Sequence, residues 1–147
     1  MLTQPRILRY MPPEQMQAAD MLIRQNNHKV LGAIMRQTDH LFRMQEDFNF
    51  KLSSSESIAW IHYFKPATGQ EWYITEMQDK DAYCLYFTGE FTKRLYCIDD
   101  LKMKDGIVLD IYWEPTTLKD IKANHQICEY NICSVPYARI MRRGFIK

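Results

Sequence analysis

His62 and Glu76 are the pair whose types and positions best suit acid–base chemistry. Both fall in segments that read as neighbouring strands, where an imidazole and a carboxylate can approach within hydrogen-bond reach. A working base also needs a third, orienting group, and the local sequence names none. Strand histidines more often sit in a core or at an edge, which is the plainer account of His62. His28, His40 and His125 have no evident partner in the sequence. There is no G-x-S-x-G elbow, and Ser53-Ser54-Ser55 has no base in its sequence context.

Metal chemistry is poorly served. Cys84, Cys97, Cys128 and Cys133 contain no C-x-x-C pair, the spacing that structural zinc sites usually show. The sharpest ligand set, His125, Cys128 and Cys133 with one distant cysteine, has a spacing outside the common patterns. Ordinary reduced thiols, and no metal or other cofactor, are the expectation. Phosphate cradles need clustered glycines, whereas Gly32, Gly69, Gly89, Gly106 and Gly144 are isolated. Asp99-Asp100, with Asp79, Asp81 and Asp105, lack the alternating oxygen ligands of a calcium loop. They read as solvated turns and a helix cap, or functionally as an acidic surface that meets a basic partner. Arg139, Arg142, Arg143 and Lys147 make a basic tail. Arg139 shares a helical face with Arg142 or Arg143, so the group can track phosphate, although a solvated helix end accounts for it as well.

The elements that must position these groups follow from composition and pattern. A chain of 147 residues, 46% hydrophobic and 25% charged, suits one globular domain with a real core. A net charge of +1 argues against a strong overall field for nucleic acid. No apolar run approaches the length of a membrane span, and the opening residues show no signal-peptide pattern, so a cytoplasmic setting inside a host cell is expected. Aromatics, at 13%, either fill a sheet core or mark a binding surface.

Residues 1–56 read as mainly helical. Pro12-Pro13-Glu14 opens one helix, Asn26-Asn27 interrupts, and Val30, Leu31, Ile34, Met35, Thr38, Leu41 and Phe42 form the stripe of a second. Residues 57–123 read as a β-meander plus a short helix. Its strands are expected at Ser57–Phe64, Glu71–Met77, Ala82–Thr88, Arg94–Ile98 and Ile107–Trp113, and Thr116 or Thr117 caps the helix. Residues 124–147 are the basic tail. The fold class is therefore α+β, an antiparallel meander of about five strands with N-terminal helices packed on one face. Strict alternation along Trp72–Glu76 puts Trp72, Ile74 and Glu76 on one face, either lining a pocket or interface or leaving Glu76 paired at a strand end.

Three motifs occur in order: Trp72-Tyr73-Ile74-Thr75-Glu76, then Leu95-Tyr96-Cys97-Ile98-Asp99-Asp100-Leu101, then Asp110-Ile111-Tyr112-Trp113-Glu114-Pro115-Thr116-Thr117-Leu118. Over roughly residues 57–122 the chain resembles the uncharacterised bacterial family catalogued as domain of unknown function 2958, whose members carry a W-Y-x-T-E strand, a Y-F-S-L-x-E-L turn and an F-x-P-x-x-L ending. Leu2-Thr3 and Pro12-Pro13 also fit that family's start. The turn here has Asp for the family's Glu, and the stretches near 14–56 and past 124 read as additions. The resemblance implies a setting on phages, plasmids or integrative elements and no established activity.

The expected function is a non-enzymatic accessory protein of such an element, binding a host protein. The target class is a nuclease or nucleic-acid-binding defence complex, inhibited by occlusion in the manner of an anti-CRISPR or anti-restriction factor. The expected binding residues are Trp72, Glu76, Asp99, Asp100 and Trp113, with no catalytic residue and no membrane partner. The alternative is a nucleic-acid module working through Arg139, Arg142 and Arg143.

Overall fold

A computed structural model describes residues 5–47 and 57–128. A short 3₁₀ turn, Arg6–Tyr10, leads into helix α1, Pro13–Arg24, which has proline in its first turn and Glu14 beside the positive end of its dipole. Asn26 adopts a left-handed φ of 60°, and the Asn27 side chain accepts a hydrogen bond from the Val30 N–H at 3.2 Å. The asparagine pair thus ends one helix and caps the next, α2, His28–Asp47. The buried side of α2 carries Val30, Ala33, Ile34, Gln37, Leu41 and Met44. It is rotated from the expected stripe, for Met35 and Phe42 are exposed. Phe42 lies instead under the Arg6 guanidinium at 5.6 Å.

Among the described residues seven strands follow: β1 (Ile58–Ala59), β2 (Ile61–Lys65), β3 (Gln70–Gln78), β4 (Asp81–Phe87), β5 (Phe91–Cys97), β6 (Val108–Leu109) and β7 (Thr116–Thr117). Helix α3 (Ile98–Lys102) lies between β5 and β6, and α4 (Leu118–Cys128) follows β7. The main sheet has the order β5-β4-β3-β2-β6, antiparallel throughout, and β1 pairs separately with β7. This is the expected α+β architecture, a meander in contact with α2. Gly69 and Gly89, with φ of 74° and 92°, supply the left-handed backbone that the β2–β3 and β4–β5 turns require.

Alternation divides the sheet into two faces. Ile61, Tyr63, Trp72, Ile74, Cys84 and Leu109 turn toward the N-terminal helices and join the larger core. Tyr73 and Leu85 turn the other way, onto Trp113 and, from α4, Leu118 and Ile121. Two expectations about the strands are corrected. The segment Ile107–Trp113 keeps strand pairing only at Val108–Leu109. The chain then turns away because Asp110 Oδ1 accepts the Tyr112 N–H at 3.0 Å, a local side-chain turn that competes with the ladder. In β3, a bulge between Ile74 and Glu76 breaks the alternation, so Ile74 pairs with Cys84 while Glu76 pairs with Tyr83. Glu76 therefore leaves the face of Trp72 and Ile74.

The sheet's two margins differ. Asp110 N–H bonds to His62 C=O, so the adjacent Tyr63–Leu109 pair is the non-hydrogen-bonded kind and the Leu109 backbone points outward. Both of its groups are taken by one side chain of α1: Gln15 Nε2 donates to Leu109 C=O at 2.7 Å, and Leu109 N–H donates to Gln15 Oε1 at 2.8 Å. Gln37 from α2 donates to the carbonyls of Ile111 and Trp113, at 3.0 and 2.9 Å, which ties the departing chain to the helical layer. The seam expected at Ser53-Ser54-Ser55 and the tail carrying Arg139, Arg142 and Arg143 lie outside the described residues.

Candidate functional site

His62 does not meet Glu76. It stands opposite Tyr73 on β3, and Glu71, two residues before Tyr73, is its diagonal neighbour. Asp110 continues the β6 register on the other side of His62. His62 Nε2 lies 3.0 Å from Glu71 Oε1 and Nδ1 lies 3.1 Å from Asp110 Oδ2. Tyr73 stacks on the imidazole at 4.6 Å, Phe64 at 5.6 Å, and Trp113 tilts over it at 4.7 Å. Trp113 is itself fixed by an indole N–H donated to Ala59 C=O at 3.0 Å.

Burial alone lowers the pKa of His62, but its hydrogen bonds donated to Asp110 and Glu71, and the charges on those carboxylates, outweigh it, and the value rises to about 9. The imidazole is therefore protonated at neutral pH, donates at both nitrogens, and sits between two carboxylates with aromatic faces around it. Such a group holds its protons rather than taking one. His62 and Asp110 are 0% exposed and Glu71 4%, so no substrate reaches them. The two carboxylates bind opposite ends of the ring and do not converge on an ion. Among the described residues no group of three His, Cys, Asp or Glu side chains is arranged to hold a metal. The cluster is a buried cross-link joining β2, β3 and the turn after β6.

Two of the expected binding residues are interior. Trp72, 1% exposed, packs against Tyr86 and Tyr96, and Trp113 is 8% exposed over His62. Their indoles fill the two cores and present no surface to a partner. Asp99 lies on α3, with Lys80 at 3.3 Å and Lys102 at 3.8 Å, so its charge is already matched locally. Asp100 beside it is exposed. Glu76 is the member of the set that reaches an open feature. The bulge sets Thr75 and Glu76 together opposite Tyr83, and both line a groove of about 300 Å³ across β3, β4 and β5. The exposed Tyr83, Lys93 and Leu95 line it, together with the buried Leu118 at the start of α4. Tyr83 is 41% exposed and Leu95 54%.

The thiols of this region differ in access. Cys84 is buried, which pushes its pKa up to about 12 against the opposing effect of Arg94, whereas Cys97 is half-buried. Alkylation of the native protein should therefore modify Cys97 first and Cys84 only on unfolding, read by peptide mass mapping. Equal rates at the two would contradict this packing. Cys128 and Cys133, and the metal set that includes them, fall where no side chain is described.

No family model, characterised protein or solved structure matches this chain. No helix among the described residues is long and apolar enough to cross a membrane. Sequence reasoning missed Glu71, Asp110, Tyr83 and Leu95. Two of these carried a readable sign: Glu71 stands beside Trp72-Tyr73 and Asp110 between Leu109 and Ile111, acids in apolar runs that have to find a buried partner.

Proposed function

We propose that this chain is a non-enzymatic, protein-binding accessory protein that acts by covering a surface of its target. The observation that carries this reading is the groove beside β5, where Tyr83 and Leu95 expose large apolar surface next to Glu76 and Lys93. Aromatic and aliphatic anchors with a polar rim are the usual make-up of a protein interface. The sealing of the His62 cluster supports the non-enzymatic part, because the acid–base group closest to a catalytic arrangement is closed to substrate. The groove is mixed in charge rather than acidic, so a purely acidic covering surface built on Asp99 and Asp100 is the weaker version. The resemblance of the Trp72–Leu118 stretch supplies the proposed setting, a phage or other mobile element, and the proposed target class, a host defence complex such as a nuclease.

Affinity capture from host lysate tests this. The wild-type chain should retain one protein in near-stoichiometric amount, and the double substitution Tyr83→Ala, Leu95→Asp should reduce retention by more than roughly tenfold. Its melting temperature should stay close to wild type, because both positions are exposed. Retention of DNA or RNA that vanishes in Arg139→Ala, Arg142→Ala, Arg143→Ala would favour the nucleic-acid alternative instead.

A further inference from the structure

The hydrogen-bond pattern of β5 identifies which backbone groups face outward. Thr88 N–H bonds to Glu90 C=O and Ile98 N–H to Lys80 C=O, at the two ends of the β4–β5 ladder. With the observed register, the pairs exchanging hydrogen bonds with β4 are Ala82–Tyr96, Cys84–Arg94 and Tyr86–Thr92. The N–H and C=O groups of Lys93 and Leu95 therefore point away from β4. Among the described residues no strand pairs with them, and Thr92 through Leu95 are all exposed. The opposite margin at Leu109 is occupied by Gln15, so β5 is where this sheet can accept another strand.

The side chains state what that strand must carry. Leu95 and Lys93 project on the groove face, with Leu95 beside Tyr83. Arg94 projects on the other face, over the Tyr86 ring at 5.7 Å. No carboxylate among the described residues lies within salt-bridge distance of either cation. A second copy of β5 is disfavoured in two of its three best-overlapped antiparallel registers, which set Arg94 against Arg94 or Lys93 against Lys93 of the other copy, since like charges directly opposed are unfavourable; the register centred on Leu95 opposes no like charges, and dimerisation is an outcome of the test below. Charged edge residues of this kind deter self-pairing while leaving the edge open to a strand of opposite charge.

We infer that β5 is a docking edge for an extended acidic segment of the partner protein, which adds to the sheet as a sixth strand. Its pattern is apolar–acidic–acidic at consecutive positions: the apolar side chain against Leu95 and Tyr83, the next carboxylate against Arg94, the third against Lys93. Main-chain bonds to Lys93 and Leu95 hold the strand, and the side chains select it. This rests on the protein-binding reading above and deepens it.

A displayed library of short random peptides, selected on the full chain, is the test. Enriched sequences should carry the apolar–acidic–acidic pattern, bind more weakly as salt rises, and perturb the amide resonances of Lys93 and Leu95. Leu95→Pro removes an outward N–H without touching the β4 ladder and should weaken a selected peptide by roughly tenfold more than Leu95→Ala, the effect of one or two lost hydrogen bonds. Lys93→Glu, Arg94→Glu should reverse the preference to basic peptides, which keeps the test sound if the proline variant folds poorly. Enrichment of basic or patternless sequences, absence of any enrichment, or dimerisation of the chain through β5 would each overturn the inference. If host-protein capture still depends on Tyr83 and Leu95 while no acidic peptide is selected, the protein-binding reading stands and this inference alone falls. If capture fails as well, both fall.

Discussion

His62→Ala should lower the free energy of unfolding by about 3–5 kcal/mol, the usual penalty for removing one partner of a buried ion pair. The cost comes from what stays behind. Glu71 and Asp110 keep their places in the sheet and its exit turn, both almost wholly out of water, and lose the cation between them. Urea titration at neutral pH measures it. The wild type carries a matching pH signature. The folded pKa of His62, about 9, lies above the ordinary histidine value of 6.5. The stabilisation is therefore complete below about 6.5 and is lost as pH rises through about 9, amounting to about 3 kcal/mol. Urea midpoints should fall between pH 7 and 10, and Asp110→Asn should move that fall to lower pH by removing one of the charges that raises the imidazole. A flat profile across this range would show that His62 is neutral in the fold.

Trp113→Ala should be comparably damaging, about 3–5 kcal/mol, because it deletes a buried indole and leaves a cavity. Its particular consequence is at His62. The indole covers the imidazole at 4.7 Å, and without it water reaches the cluster. The pH dependence described above should then shrink along with the melting temperature. Thermal melts at two pH values read both effects in one experiment. If Trp113→Ala left stability unchanged and reduced only partner binding, the indole would belong to an interface and the packing described here would be wrong.

The features set by local rules were legible in the sequence. Pro13 at a helix start, the Asn26-Asn27 interruption, the glycine turns and the meander itself all follow from residues close together in the chain. Long-range register was not. Glu71 and Asp110 reach His62 only because β3 is offset diagonally and because the chain leaves the sheet just after Leu109. Strict alternation put Glu76 beside Trp72, and one extra residue at the bulge reversed it. Exposure was equally hidden, since Trp72 and Tyr83 are both aromatic strand residues, and the direction in which each faces depends on layers far away in sequence. Gln37 escaped notice because a polar residue on a helix reads as solvated until the carbonyls it binds are known.

Gln15 limits how this protein can assemble. A sheet with two open margins can grow without end, each molecule adding to the next, and that is how ordered strands become fibres. Here the amide of Gln15 imitates the rung of a missing strand and terminates one margin. Of the main sheet's two margins, β5 is the one left open among the described residues, so strand addition to this sheet stops after a single step. Any complex formed this way is finite, one added strand per chain. A chain built this way can keep one adhesive edge without polymerising. Gln15→Ala would remove the terminator, and slow, concentration-dependent growth of long assemblies is the behaviour it should release.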